Sequence, residues 1–239
     1  MEITHSADAL QKRLDEVRGR IELSARRSKR SPADVTLIAV SKTHPAEALR
    51  RALSAGVSDF GENRVQEAEL KIEELKGARA NWHLIGHLQS NKARRAAKLF
   101  DCIHTLDTVA LAERLERGCD EEGRDELRVL VQIDLGGETT KSGAPEDEVP
   151  TIVETIRAYR HLKLVGLMTI PPFFENPEGV RPYFRRLREM RDELRARGVF
   201  KMGDGELSMG MSHDYEVAIE EGATMVRVGT AIFGARNTI

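Results

Sequence analysis

One lysine, two glycine-bearing segments and one arginine are the residues here whose types and spacing could do chemistry together. Lys42 follows the apolar run Val35-Thr36-Leu37-Ile38-Ala39-Val40-Ser41, so a long primary amine emerges at the end of a buried strand. Far downstream lie Leu207-Ser208-Met209-Gly210-Met211-Ser212 and Val226-Arg227-Val228-Gly229-Thr230. Gly210 and Gly229 let backbone N–H groups approach an anion without side-chain obstruction, and Ser208, Ser212 and Thr230 add hydroxyl donors. A lysine attacks a carbonyl only as the neutral amine, a form favoured by desolvation and by a nearby cation such as Arg227. An amine beside a phosphate cradle calls for a phosphorylated aldehyde, and pyridoxal phosphate is the leading candidate.

Each feature also has an ordinary structural explanation. A strand-end lysine can snorkel, Gly210 can turn the chain, Ser212 can cap a helix starting at His213, and Arg227 can serve an ion pair. The coincidence of all of them at consecutive strand ends favours the chemical reading. A guanidinium cannot lose its proton, so beside a pyridine nitrogen Arg227 would only donate. The ring would then be a weak electron sink, which argues against transaminase-like use.

The 239 residues carry 37 basic and 39 acidic side chains, a formal charge of -2. This balance gives no drive toward nucleic acid or an anionic membrane. No apolar run suits a bilayer span, and the first residues lack a secretory signal pattern. Cys102 and Cys119 have neither disulfide nor metal-ligand spacing, and reduced thiols fit a cytoplasmic protein. No metal is expected.

The positioning elements follow from hydrophobic period. Leu10, Leu14, Val17 and Ile21 recur at helical spacing, which predicts an opening helix over 6–30 ended by Ser31-Pro32. Eight short apolar runs follow, at 35–41, 57–61, 82–86, 102–105, 129–135, 162–169, 206–209 and 225–228. Amphipathic stretches at 45–55, 64–75, 91–99, 109–117, 149–159, 181–197 and 213–221 separate them. Strand alternating with helix implies a parallel sheet, and eight runs favour a closed (β/α)8 TIM barrel with an extra N-terminal helix over an open doubly wound sheet. One domain over 1–239 is expected. In such a barrel strand eight neighbours strand one, so Lys42 and the glycine segments meet. The Arg-rich stretch 181–197 reads as a solvated helix face. Gly136–Ser142 imitates a nucleotide loop but has Lys141 where the second glycine belongs. His83 and His87 lack the glutamate of a helical zinc motif.

The blocks Ala39-Val40-Ser41-Lys42-Thr43, Phe60-Gly61-Glu62-Asn63-Arg64, Trp82-His83-Leu84-Ile85-Gly86-His87, Lys141-Ser142-Gly143, Gly166-Leu167-Met168-Thr169 and the two glycine segments resemble, in order, the pyridoxal-phosphate homeostasis protein family. The resemblance covers nearly the whole chain. It implies a barrel related to the N-terminal barrel of alanine racemase, holding pyridoxal 5'-phosphate as an imine on Lys42. Ser208, Ser212, Gly229 and Thr230 would then surround the phosphate. Arg227 would face the pyridine nitrogen, and Asn63 and Met168 would line the ring. Lys141 receives no role.

The function expected from this is cofactor holding and supply in vitamin B6 homeostasis, with cofactor-dependent client enzymes as partners. Alanine racemases continue into a second domain that contributes a catalytic tyrosine, whereas this sequence stops at Ile239, so a monomer without racemase activity is expected. The alternatives are a racemase-like enzyme using the same cofactor, with water or Lys141 as the other base, and a lysine-imine aldolase for a phosphorylated sugar with Asp134 beside the amine.

Overall fold

The computed structural model describes residues 2–137, 142–201 and 203–234, with side chains from residue 9 onward. Eight parallel strands close into a barrel in chain order: β1 (Thr36–Val40), β2 (Asp59–Glu62), β3 (Asn81–Leu84), β4 (Cys102–Leu106), β5 (Leu127–Ile133), β6 (Leu162–Thr169), β7 (Glu206–Met211) and β8 (Met225–Val228). Helices follow the strands: α2 (Ala46–Ser54), α3 (Val65–Glu74), α4 (Ala93–Leu99), α5 (Val109–Glu121), α6 (Val149–Ala158), α7 (Arg181–Ala196), α8 (Tyr215–Glu220) and the short α9 (Thr230–Phe233). The opening helix α1 spans Glu2–Arg27. The expected (β/α)8 barrel with an added N-terminal helix is the observed fold. Among the described residues, no helix is long and apolar enough to cross a membrane.

Closure decides what meets. Ile38 pairs with Arg227 and Ala39 with Val228, so β1 and β8 run side by side without a free edge. The main core lies between strands and helices, with Phe60, Leu84, Ile103, Val129, Leu167 and Val226 on the outward faces of their strands. Burying these large side chains stabilises the fold by about 1.5–3 kcal/mol each. Leu14, Val17, Ile21 and Ala25 of α1 join that core at the expected spacing. The Arg13 side chain donates to the Ile232 carbonyl at 2.7 Å, tying α1 to α9.

Several boundaries depart from expectation, two of them for a visible reason. α1 ends at Arg27, and Ser31 instead opens a one-turn 3-10 helix, Pro32–Asp34, through a capping box with Asp34. α8 starts at Tyr215 rather than His213, because Asp214 turns its carboxylate back to accept from Met211 N–H at 2.6 Å. Arg185, Arg186 and Arg195 of α7 are solvated as expected, whereas Arg181, Arg188 and Arg191 are partly buried. Arg181, Arg185 and Arg188 converge on Glu221, which is nearly buried.

Candidate functional site

The Lys42 loop is held from below. Ser41 is buried just past β1, and its N–H donates to the Gly61 carbonyl of β2 at 3.0 Å. The Ser41 hydroxyl donates to Glu62 Oε1 at 2.6 Å, and the Lys71 ammonium of α3 donates to the Ser41 carbonyl at 2.8 Å. Lys71 also contacts Glu62 at 2.6 Å and Glu67 at 2.7 Å. Burial pushes the Glu62 carboxyl above its ordinary range although Lys71 and Ser41 bond to it. Lys42 follows, half-buried. Thr43 then takes φ +67°, a left-handed conformation that is strained for a β-branched residue. Its N–H donates to Glu67 Oε1 at 2.5 Å, which holds the strained turn in place. His44 stacks on Phe233 of α9 with ring centroids 4.8 Å apart, docking this loop onto the end of β8.

The two glycine segments meet there. Gly229 N–H donates to the Ser212 hydroxyl at 3.2 Å, so Ser212 bridges to β8 rather than capping α8. A β-carbon at Gly229 would stand 3.2 Å from Val40 Cβ and 3.3 Å from its carbonyl oxygen, so the backbone is pressed against the end of β1. Gly210 has φ +90°, and a β-carbon there would lie 2.6 Å from Ala218 Cβ, so only glycine fits that turn. Asp214 braces it; burial raises the Asp214 carboxyl, opposed by the Met211 bond and the Arg227 charge. Thr230 is exposed at the start of α9, where the Ile232 and Phe233 amides donate to the Gly229 carbonyl at 2.8 and 2.9 Å. This donor set, with a cationic Arg227 behind it and an amine loop beside it, fits a phosphorylated aldehyde.

Arg227 is buried inside the barrel and donates to the Ser208 hydroxyl at 2.6 Å and the Thr169 carbonyl at 3.0 Å. Burial pushes it down to about 10, so it remains a cation at neutral pH. Beyond Ser208 lies a feature sequence reasoning missed. His104 Nδ1 is 2.8 Å from Ser208 Oγ, His104 Nε2 is 2.9 Å from His83 Nδ1, and His83 Nε2 is 3.0 Å from Asp59 Oδ1. Cys102 Sγ lies within 4.8 Å of one ring nitrogen of each histidine, a grouping of metal-ligand types. It suits a metal poorly. The histidine nitrogens bond to one another, and burial raises the Cys102 thiol to about 12, keeping it protonated.

The remaining sequence expectations fall in different places. Ser208 is fully buried, with its hydroxyl engaged by Arg227 and His104. Met168 is also fully buried, packed with Cys102 and Leu130 inside the barrel. Asn63 is half-buried just past β2, where it lines a cleft of about 560 Å³ with Arg64, Gln66, His87 and Lys92. Asp134 accepts from the Gly136 and Gly137 amides, a turn role that leaves the aldolase alternative without support. Lys141 lies outside the described residues. The only sequence signal for the Lys71 cluster is Glu67 and Lys71 at i,i+4 in an amphipathic helix, a pattern that most often means a surface pair.

Known proteins resemble this chain throughout its length. The family described as alanine racemase, N-terminal domain, matches residues 13–237. The pyridoxal phosphate homeostasis protein of Aquifex aeolicus is 44% identical over 224 residues, covering 94% of this chain and 97% of that one. Its Escherichia coli K12 counterpart is 43% identical over 230 residues, 94% of this chain and 95% of that one. The structure of PipY from Synechococcus elongatus with PLP bound superposes with a TM-score of 0.78 at 40% identity, covering 94% of this chain and 100% of that one. Alanine racemase from Corynebacterium glutamicum, at 18% identity and a TM-score of 0.67, covers 97% of this chain and 62% of that one, a likeness of fold.

Proposed function

This chain belongs to the pyridoxal phosphate homeostasis protein family, and from that membership we propose that it binds pyridoxal 5'-phosphate through Lys42 and holds it for supply to cofactor-dependent enzymes. The observation that carries this reading is the convergence of the Lys42 loop with the Ser212–Gly229 pair, seen in Gly229 against Val40 and His44 against Phe233.

The bound cofactor supplies an aldehyde that condenses with a primary amine. The chain's own residues do the rest. Lys71, Glu62 and Glu67 fix the backbone on either side of Lys42 and so aim its amine. Ser212, Gly229 and Thr230 are assigned to the phosphate, where amide and hydroxyl donors meet. Arg227 would donate to the pyridine nitrogen and, being a fixed cation, would leave that nitrogen unprotonated. Asn63 and Met168 are assigned to the ring, and Ser208 supports the Arg227 guanidinium that faces the pyridine nitrogen.

Holding rather than racemisation fits the tyrosines. Racemisation needs a proton carrier on each face of the substrate carbon. Tyr183 lies on α7, Tyr159 follows α6, and Tyr215 on α8 lies under Arg20 of α1, all in the helical layer. The proposal extends to one barrel domain acting as a monomer in the cytoplasm. Borohydride reduction of the yellow loaded protein followed by peptide mass spectrometry tests it. A pyridoxyl adduct on Lys42, lost in Lys42→Ala, is expected; an unmodified Lys42 in loaded protein would refute the assignment.

A further inference from the structure

Arg227 is a buried cation, yet among the described residues it forms no ion pair; its two hydrogen bonds reach neutral oxygens of Ser208 and Thr169. Asp214 acts on it through charge without a bond, whereas a continuous hydrogen-bonded route to a carboxylate runs through Ser208 of β7, His104 of β4 and His83 of β3 to Asp59 of β2. Each step is 2.6–3.0 Å.

The chemistry of the two ends, with both imidazoles neutral, sets the direction of every bond between them. A guanidinium can only donate and a carboxylate can only accept. His83 must therefore present Nε2–H to Asp59. With neutral imidazoles, His83 Nδ1 then accepts from His104 Nε2–H, which leaves His104 Nδ1 to accept from the Ser208 hydroxyl. Ser208 in turn offers its lone pairs to Arg227. Protonation states agree with this order. Burial above all, with the charges of Arg227 and Arg128, holds His104 well below its ordinary value, so it is neutral. Burial alone would raise Asp59, but bonds from His83, Ser58 and Asn81 hold it below the usual carboxylate range.

We propose that Asp59, His83 and His104 are positioning residues that form a one-way hydrogen-bond relay, orienting Ser208 and through it locking the Arg227 guanidinium for its ligand. The relay itself is a property of the unloaded chain. Its consequence for the cofactor rests on the reading that Arg227 faces the pyridine nitrogen. A Ser208 hydroxyl turned the other way would point its hydrogen at Arg227, so the terminal carboxylate controls the donor geometry from across the barrel.

Nitrogen NMR of the histidine side chains in the full, unloaded chain tests the relay directly. Both His83 and His104 are expected as Nε2–H tautomers at neutral pH, with at least one changing in Asp59→Ala. In loaded protein, Asp59→Ala is expected to shift the cofactor's absorption maximum and to release it roughly tenfold faster, about the weight of one charge-assisted hydrogen bond. Asp59→Asn retains an acceptor and should restore much of the loss. Nδ1–H on either imidazole of the wild-type chain overturns the proposal. So does an Asp59→Ala protein that loses thermal stability alone, with tautomers, absorption and release unchanged. If the wild-type chain takes up no pyridoxal phosphate, the functional reading fails while the tautomer measurement still judges the relay.

Discussion

The Lys71 ammonium donates to the Ser41 carbonyl at 2.8 Å, placing one buried lysine directly beneath the backbone that presents another. Lys71 is 7% exposed at its side chain and Glu62 not at all, so their pairing is a buried one. Removing one member of such a pair leaves an uncompensated charge, whereas removing both is milder. Lys71→Met is expected to destabilise the fold by about 3 kcal/mol at neutral pH. Glu62, already raised by burial, would rise further without its cation. A carboxyl raised in the folded state contributes stability below its unfolded pKa and loses it as pH rises through the folded value. The variant's deficit should therefore narrow toward acid pH. Denaturant titrations of Lys71→Met between pH 5 and 8 measure this; a deficit independent of pH would show that Glu62 does not carry it.

Gly229→Ala should separate binding from folding. Its φ of -116° is negative, so alanine there meets no left-handed strain. The added methyl would sit 3.2 Å from Val40 Cβ and crowd the meeting of β8 with β1. Weaker cofactor capture, about tenfold, with a stability change near 1 kcal/mol, is the expected result from spectroscopic titration alongside thermal melting.

Gly210→Ala should behave in the opposite way. At φ +90° with Ala218 Cβ 2.6 Å from the new carbon, the substitution is both strained and blocked. A loss of about 3 kcal/mol is expected. An unchanged melting temperature would mean the turn tolerates rearrangement.

Neither cysteine should react in the native state. Cys102 is fully buried with its thiol raised to about 12, and Cys119 is buried and raised to about 11. Iodoacetamide at pH 8 should leave both unmodified until denaturant is added, as judged by intact mass.

Glu221 should mark the acid limb of stability. Burial alone would raise it, but bonds from Arg185 and Arg181 and the charge of Arg188 hold it below the usual range. A depressed carboxylate contributes stability above its unfolded pKa and loses it as pH falls through the folded one. Glu221→Gln is expected to cost about 2 kcal/mol at pH 7, and the gap to wild type should close below about pH 4. Melting temperatures across that range check the sign.

Local physics wrote the barrel into the sequence. Eight apolar runs and the α1 stripe were legible because burial imposes a period of two on strands and 3.6 on helices. Lys42 and both glycine segments stood out for the same reason: a strand end followed by an amine or a glycine turn is a short-range pattern. Errors came where a side chain outside that range intervened. Asp214 reached back to Met211 and delayed α8, and Ser212 turned to Gly229 instead of the helix.

Only closure of the barrel brought the rest together. Asp59, His83, His104 and Ser208 lie on four strands, and His104 and Ser208 are 104 residues apart. Glu62 and Lys71 are nine apart, a separation with no local meaning on a strand followed by a helix. Such contacts are set by strand order and register, and a hydrogen bond a few ångströms long between distant segments leaves no periodic trace in the residues that make it.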